Sequence, residues 1–145
     1  MNTLDPLTTA EADATLRSEQ QIARMSEVHN FSGPDLDNLK LLHQGSDNKR
    51  ILKTFRELRT QVFARAGGKN FVCLVTSVCP KGGASYAASN LAAAIALDKS
   101  KTSVVVDCNF DAPSMDNLLS AEANLGLTDY LSVPEMGIEF VLYAS

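Results

Sequence analysis

The sequence predicts an α/β fold, in which helices flank part of a parallel sheet and a partly helical arm precedes it. Residues 71–77 and 102–108 are short apolar runs with β-branched members, which is typical of strands buried on both faces. Between them, residues 86–97 combine strong helix formers with small side chains, which favours a helix packed closely on a sheet. Strand, helix and strand in this order make a βαβ unit.

The N-terminal third of the chain differs from the rest. Residues 1–47 are polar and interrupted by proline and glycine, so we expect a loosely attached arm with helices over about 9–27 and 34–43. Residues 48–145 are expected to hold the front half of the domain, because two or three strands are few beside the ~5 of a usual sheet.

A basic helix is predicted between the arm and the first strand. Ser46 or Asp47 can cap it, Gly67 and Gly68 can end it, and its apolar stripe is Ile51, Phe55, Leu58 and Val62. Its polar face carries Lys49, Arg50, Lys53, Arg56, Arg59 and Arg65. Such a face is either solvated or an interface for a protein partner, and the acidic balance of the chain speaks against nucleic acid.

After the second strand the signals are shorter. Residues 114–119 and 126–131 each predict a short helix, and residues 138–143 predict a strand or a buried turn. This last segment is the candidate third strand of the sheet.

Composition limits the class of protein. The 145 residues are 45% hydrophobic, which suits a single domain, and the net charge of -4 gives no overall attraction to nucleic acid or anionic lipid. No apolar run approaches a membrane span, and the acidic N-terminus lacks the features of a secretory signal, so a cytoplasmic protein is expected.

Cysteines and histidines give no metal or catalytic pattern. Cys73, Cys79 and Cys108 lack the spacing of a zinc site, so reduced structural thiols are predicted. His29 and His43 are isolated from any residue at metal or triad spacing.

The most informative segment is the loop after the first predicted strand. Ligands of open α/β sheets bind where strands end, and here residues 77–86 read Ser-Val-Cys-Pro-Lys-Gly-Gly-Ala-Ser-Tyr before a helix. Gly82 and Gly83 permit unusual backbone geometry, and amides at a helix N-terminus attract anions. On these residues alone, anion binding and a plain tight turn are equal alternatives.

Four segments in order resemble a known family. Residues 55–60, 75–80, 89–92 and 104–113 are similar to the cytoplasmic P-loop kinase domain of the bacterial tyrosine kinases that accompany capsule and exopolysaccharide export. The resemblance covers about residues 48–133 and implies a Rossmann-like P-loop fold that binds ATP or ADP with Mg²⁺. Its loop pattern, Ser-x-x-Pro-Gly-Glu-Gly-Lys-Ser-Thr, places the nucleotide-binding positions at Pro80, Lys81, Gly82, Gly83, Ala84, Ser85 and Tyr86.

In this register the family's lysine falls on Ala84. That lysine contacts the β and γ phosphates during transfer, while the hydroxyl that follows, here Ser85, binds Mg²⁺. Loss of such a cation should cost about 3–4 kcal/mol of transition-state stabilisation, by analogy with other charge-stabilising donors. Lys81 can either reach the phosphate from the loop or remain a solvated side chain.

A second departure follows the second predicted strand. The family motif resembles Asp-x-Asp-x-Arg-x-Pro, whereas this chain has Asp107, Asn109, Asp111 and Pro113. The resemblance gives Asp107 a role at Mg²⁺ and, in an active enzyme, a catalytic role with Lys81. The alternative from chemistry alone is a carboxylate bonded to backbone amides.

The resemblance implies a degenerate, non-catalytic partner of a membrane-bound polysaccharide chain-length or export protein. An active tyrosine autokinase and a regulator related to the Min and Par ATPases are the alternatives. Arg56 and Arg59 match two positions that the family uses for ring assembly, so an interface there and a homo-oligomer are further expectations, although Lys53 replaces the family's acidic residue.

Overall fold

The computed structural model describes residues 31–67, 69–98, 101–118 and 123–143. The predicted helix over 9–27 lies outside these residues. The described chain falls into two compact units, one formed by Phe31–Leu118 and the other containing 123–143.

The predicted parallel sheet is wrong. The described residues contain helices and no strands, and both predicted strands, 71–77 and 102–108, lack regular secondary structure. The third candidate, 138–143, contains a 3₁₀ helix at Ile138–Phe140. A strand exists only when a neighbour accepts its backbone hydrogen bonds, so β-branched apolar composition cannot by itself produce one.

The first helix, α1, spans Gly33–Asn38 and is shorter than the predicted 34–43. Ser32 and Asp35 form a capping box at its start, and Pro34 stands in its first turn. The helix ends early because Lys40 adopts a left-handed backbone with φ of 57°.

The second helix, α2, spans Lys49–Ala66. Asn48, rather than Ser46 or Asp47, caps it by accepting a hydrogen bond from the backbone N–H of Ile51, and Gly67 ends it at a φ of 62° as predicted.

The third helix, α3, spans Ala84–Ala96 and packs against α2. Phe55 contacts Tyr86 edge to face with 6.0 Å between ring centroids, and Arg59 donates to the carbonyl of Ala94 at 3.0 Å. Ile51, Phe55 and Val62 of the predicted apolar stripe are half-buried, whereas Leu52 is buried although it was not predicted and the predicted Leu58 is exposed.

A small core lies around these two helices. Its buried apolar side chains are Leu42, Leu52, Leu91, Ala94 and Ile95. Small residues along α3 permit the close approach, as the composition of 86–97 predicted.

One polar side chain lies at the centre of this core. Asn90 is 0% exposed, accepts a hydrogen bond from the backbone N–H of Leu42 at 2.8 Å, and donates to the carbonyls of Lys40 and Tyr86 at 3.0 Å each. These hydrogen bonds attach residues 40–42 to the first turns of α3.

The second unit contains helix α4, Leu127–Ser132, and the 3₁₀ helix Ile138–Phe140. Asp129 accepts a hydrogen bond from the backbone N–H of Gly126 at 2.8 Å at the start of α4, and the hydroxyl of Tyr143 donates to the carbonyl of Leu125 at 3.0 Å. Among the helices in the described part of the chain, none combines the length and the apolarity needed to cross a bilayer.

We expect Asn90→Ala to lower the free energy of unfolding by about 2–4 kcal/mol, because it leaves the N–H of Leu42 without its partner in the core and removes the bond to the carbonyl of Lys40. Denaturant unfolding followed by circular dichroism measures this loss. Gln61→Ala on the exposed face of α2 is the matched control and should change stability by less than about 0.5 kcal/mol. Equal losses in both variants would contradict the role assigned to Asn90.

Candidate functional site: the glycine loop and Asp107

The loop before α3, residues 77–83, is called the glycine loop, and its backbone is compact and locally bonded. The hydroxyl of Ser77 donates to the carbonyl of Cys79 at 2.9 Å, and the N–H of Gly82 donates to the same carbonyl at 3.1 Å. A Cβ atom at position 82 would lie 2.7 Å from the Cβ of Ser77, so this residue must be glycine.

Two positions on either side of Gly82 use left-handed backbone. Gly83, the N-cap of α3, has a φ of 83°, and Lys81 has a φ of 59°. Lysine rarely adopts this region, and the cost is of order 1–3 kcal/mol.

The predicted loop positions therefore surround the start of α3. Ala84 is the first residue of the helix, so the position of the family's lysine lies where the N-terminal amides are free of intrahelical partners. Pro80, Lys81, Ser85 and Tyr86 are all exposed, and Tyr86 also packs on Phe55.

Ser85 and Asp107 are connected through Ser114. The hydroxyls of Ser85 and Ser114 lie 3.2 Å apart, and the carboxylate of Asp107 accepts the backbone N–H of Ser114 at 2.7 Å. The structure thus brings the two predicted Mg²⁺ positions into one cluster.

Asp107 is extensively bonded to backbone. One carboxylate oxygen accepts the N–H groups of Ser114 and Met115, and the other accepts the N–H of Asn109 at 2.9 Å. Partial burial raises the pKa of Asp107, but the three backbone hydrogen bonds outweigh it and hold the pKa below its usual value. This is the arrangement of the backbone-bonded alternative, in which the carboxylate fixes the start of the 3₁₀ helix Met115–Leu118.

This donor set can still take part in a weak magnesium site. One lone pair on the oxygen facing Asn109 stays uncommitted, and Mg²⁺ commonly binds one or two protein oxygens together with substrate phosphates and water. Asn109 itself donates its side-chain amide to the carbonyl of Ala112 at 2.7 Å, which orients its amide oxygen away from that bond. Within the described residues, no three side chains of His, Cys, Asp or Glu form a metal-binding group.

The predicted interface arginines differ in environment. Arg56 is exposed, whereas Arg59 is half-buried and holds the carbonyl of Ala94 near the C-terminus of α3. An open concavity lies beside them, lined by Arg56, Arg59, Leu97 and Asp98. Arg59 therefore has a structural contact that its place in the sequence did not indicate.

The remaining candidates have simple environments. Cys73, Cys79 and Cys108 are free, and all three are exposed. His43 lies 3.0 Å from Asp37, and its other ring nitrogen accepts the N–H of Gly45, so it joins α1 to the following turn. His29 lies outside the described residues.

Sequence reasoning missed two residues of this region. Ser114 joins Ser85 to Asp107, and its signal was a serine directly after Pro113, a pattern common at helix starts. Asn90 fixes the first turns of α3, and its signal was one amide within a run of alanines.

We expect the amides of Ser114 and Met115 to lose hydrogen-exchange protection as the pH falls through the lowered pKa of Asp107. The sign follows from linkage: a depressed carboxyl pKa contributes stability above the unfolded value of ~3.9, and protonation of the folded state removes it. Amide exchange and carboxyl chemical shifts between about pH 2 and 6 measure the effect. Asp107→Asn should show the low-protection state at every pH, and an unchanged pH profile in that variant would contradict the assignment.

Comparison with protein-family models, with curated proteins and with solved structures found no match for this chain. The kinase-like resemblance therefore stays a prediction from the residues.

Proposed function

We propose that this chain is a degenerate, non-catalytic nucleotide-binding partner in exopolysaccharide or capsule synthesis or export. It binds ATP or ADP weakly with Mg²⁺ and acts on a membrane-bound chain-length protein at the inner face of the cytoplasmic membrane. The proposal combines the resemblance of four segments with the geometry of the loop before α3.

One observation carries the weak-binding part. Ala84 is the first residue of α3, where the resemblance places a lysine, and Gly83 before it makes no side-chain cap bond. Gly82 has no room for a side chain and donates its N–H to the carbonyl of Cys79, so the proposal assigns anion binding to the first amides of α3, after Gly83 with its φ of 83°. The site keeps the means to bind phosphate and lacks the cation that would stabilise phosphate in transfer.

The chemistry of the remaining groups agrees with this. Ser85 can supply a hydroxyl oxygen to Mg²⁺, and the carboxylate of Asp107 retains little capacity beyond its three backbone bonds. Asn109 carries no charge and accepts no proton, so no general base stands beside the loop in the family's position. Binding without efficient transfer is the outcome we expect.

We expect Ala84→Lys to tighten ATP binding at least ~10-fold, because an ammonium group directly bonded to phosphate contributes on the order of 1.4 kcal/mol or more. Calorimetric titration of the full chain with ATP, with and without Mg²⁺, measures this change. Gly82→Ala should remove binding, since the new Cβ would clash with Ser77. Gly126→Ala, where the nearest atom is 4.0 Å away, is the matched control and should bind as the native protein does.

Absence of binding in both the native protein and Ala84→Lys would refute the nucleotide proposal. Loss of binding in Gly126→Ala as well as Gly82→Ala would show that the effect comes from folding and not from the loop.

The second candidate is an active tyrosine autokinase that uses Lys81. The observation that favours it is the strained backbone of Lys81, whose side chain is exposed beside Gly82. Incubation with radiolabelled ATP distinguishes the candidates: we expect no appreciable label on the native protein, Lys81→Ala or the surface control Lys101→Ala. Strong labelling that disappears only in Lys81→Ala would establish the kinase instead.

A further inference from the structure

The segment before the glycine loop exposes apolar side chains and an unpaired backbone. Val72, Leu74 and Val78 are 101%, 86% and 105% exposed. Within the described part of the chain, the backbone of residues 71–78 takes part in no hydrogen bond. Surfaces with both properties are templates for pairing with another chain.

The exposed residues form one row. Phe71 and Val75 are half-buried, and Phe71 packs against Phe63 of α2 with 5.7 Å between ring centroids. Val72, Leu74 and Val78 all fall at even-numbered positions, which is the spacing of one face of a strand, and this row lies in solvent. The odd-numbered face is only partly covered, because Phe71 and Val75 are half-buried whereas Cys73 and Ser77 are exposed.

The charges around this row decide what can cover it. Residues 70–80 contain no charged side chain, and the nearest charges are Lys69 and Lys81, both exposed. An acidic or basic partner would find no complementary charge along the row. A second copy needs none, because an uncharged β-branched row is complementary to itself across a twofold axis.

We propose that residues 71–78 pair antiparallel with residues 72–79 of a second copy, about a twofold axis at Val75. In this register Val72 lies opposite the partner's Val78, so the two most exposed valines become cross-strand neighbours. The unpaired N–H and carbonyl groups of both copies gain partners in the same step.

The size of the contact sets its strength. Eight residues at ~3.3 Å each, on a face ~10 Å wide, give on the order of 260 Å² per copy. The sum over both copies is on the order of 500 Å², below the ~1,200 Å² of stable interfaces. We therefore expect a weak dimer whose dissociation constant lies at tens to hundreds of micromolar.

The same register gives the dimer an unusual response to salt. Each Lys69 stands opposite the partner's Lys81, so like charges oppose pairing at both ends of the run. Salt screens this repulsion with a Debye length of about 10 Å at 0.1 M and about 3 Å at 1 M. Self-association should consequently strengthen as salt rises, whereas charge-driven association would weaken.

Sedimentation of the full chain from about 5 to 500 μM, at low and high salt, tests the proposal. We expect a monomer–dimer equilibrium that tightens several-fold with salt and is lost in Val72→Lys. Leu131→Lys, at an exposed apolar position in the other unit, is the control and should dimerise like the native protein. Circular dichroism confirms that the variants keep their helices.

Hydrogen exchange of the native protein supplies a test without mutation, because amides of residues 71–78 should gain protection as concentration rises. A monomer at every concentration would overturn the proposal. So would loss of the dimer in both lysine variants, or growth into open polymers, which a closed twofold contact does not produce.

Discussion

The fold of the first unit depends on a single buried amide. Asn90 is enclosed in an apolar core, and its side chain satisfies the backbone of residues 40–42 together with that of Tyr86. An apolar side chain of the same size would fill the space and leave those backbone groups without partners in a low-dielectric interior. The interaction therefore specifies which segment packs on α3. It also holds the first two turns of α3, from which the glycine loop projects.

The candidate site inherits its geometry from that helix. Ser85 and Gly83 are fixed by the start of α3, while Asp107 is fixed by the backbone amides that it caps, and Ser114 connects the two. A carboxylate that satisfies three N–H groups is a strong local anchor, and for the same reason it is a poor free ligand. The chain has kept the parts of the site that organise backbone. Ala84 and Asn109, where the resemblance would place a lysine and a second carboxylate, carry no charge.

Helices could be predicted from this sequence, because periodicity and caps are local. The boundaries of α2 and α3 lie within about two residues of prediction, and Gly67 ends α2 as expected. Three residues of the predicted stripe of α2 are half-buried, but the burial of Leu52 in place of Leu58 could not be predicted, since both fit an apolar stripe and only packing selects one. The strands were wrong for a related reason. The apolar, β-branched composition of residues 71–77 favours a strand. Whether a strand forms depends on a neighbouring strand to pair with, which the composition of the segment does not determine.

At the site, the sequence identified the loop residues and missed the connections among them. Glycines at 82 and 83 were interpretable because conformation alone restricts them, whereas the bonds of Ser114, Asn90 and Arg59 depend on contacts between distant segments. The charge of a residue could be taken directly from the sequence, whereas the contact that its side chain makes in the fold could not. Arg59 is the clearest case, because a guanidinium in a basic stripe proves to bind a helix carbonyl.

The unpaired run and the glycine loop share a boundary, and this has a consequence for both. Ser77 ends the apolar run, and its Cβ is the atom that a side chain at position 82 would strike. Its hydroxyl also holds the carbonyl of Cys79, to which Gly82 donates. Any partner that orders residues 71–78 therefore also restricts the loop before α3, where anion binding is proposed. Because ordering a segment costs conformational entropy only once, pairing of the run and occupation of the loop should favour each other.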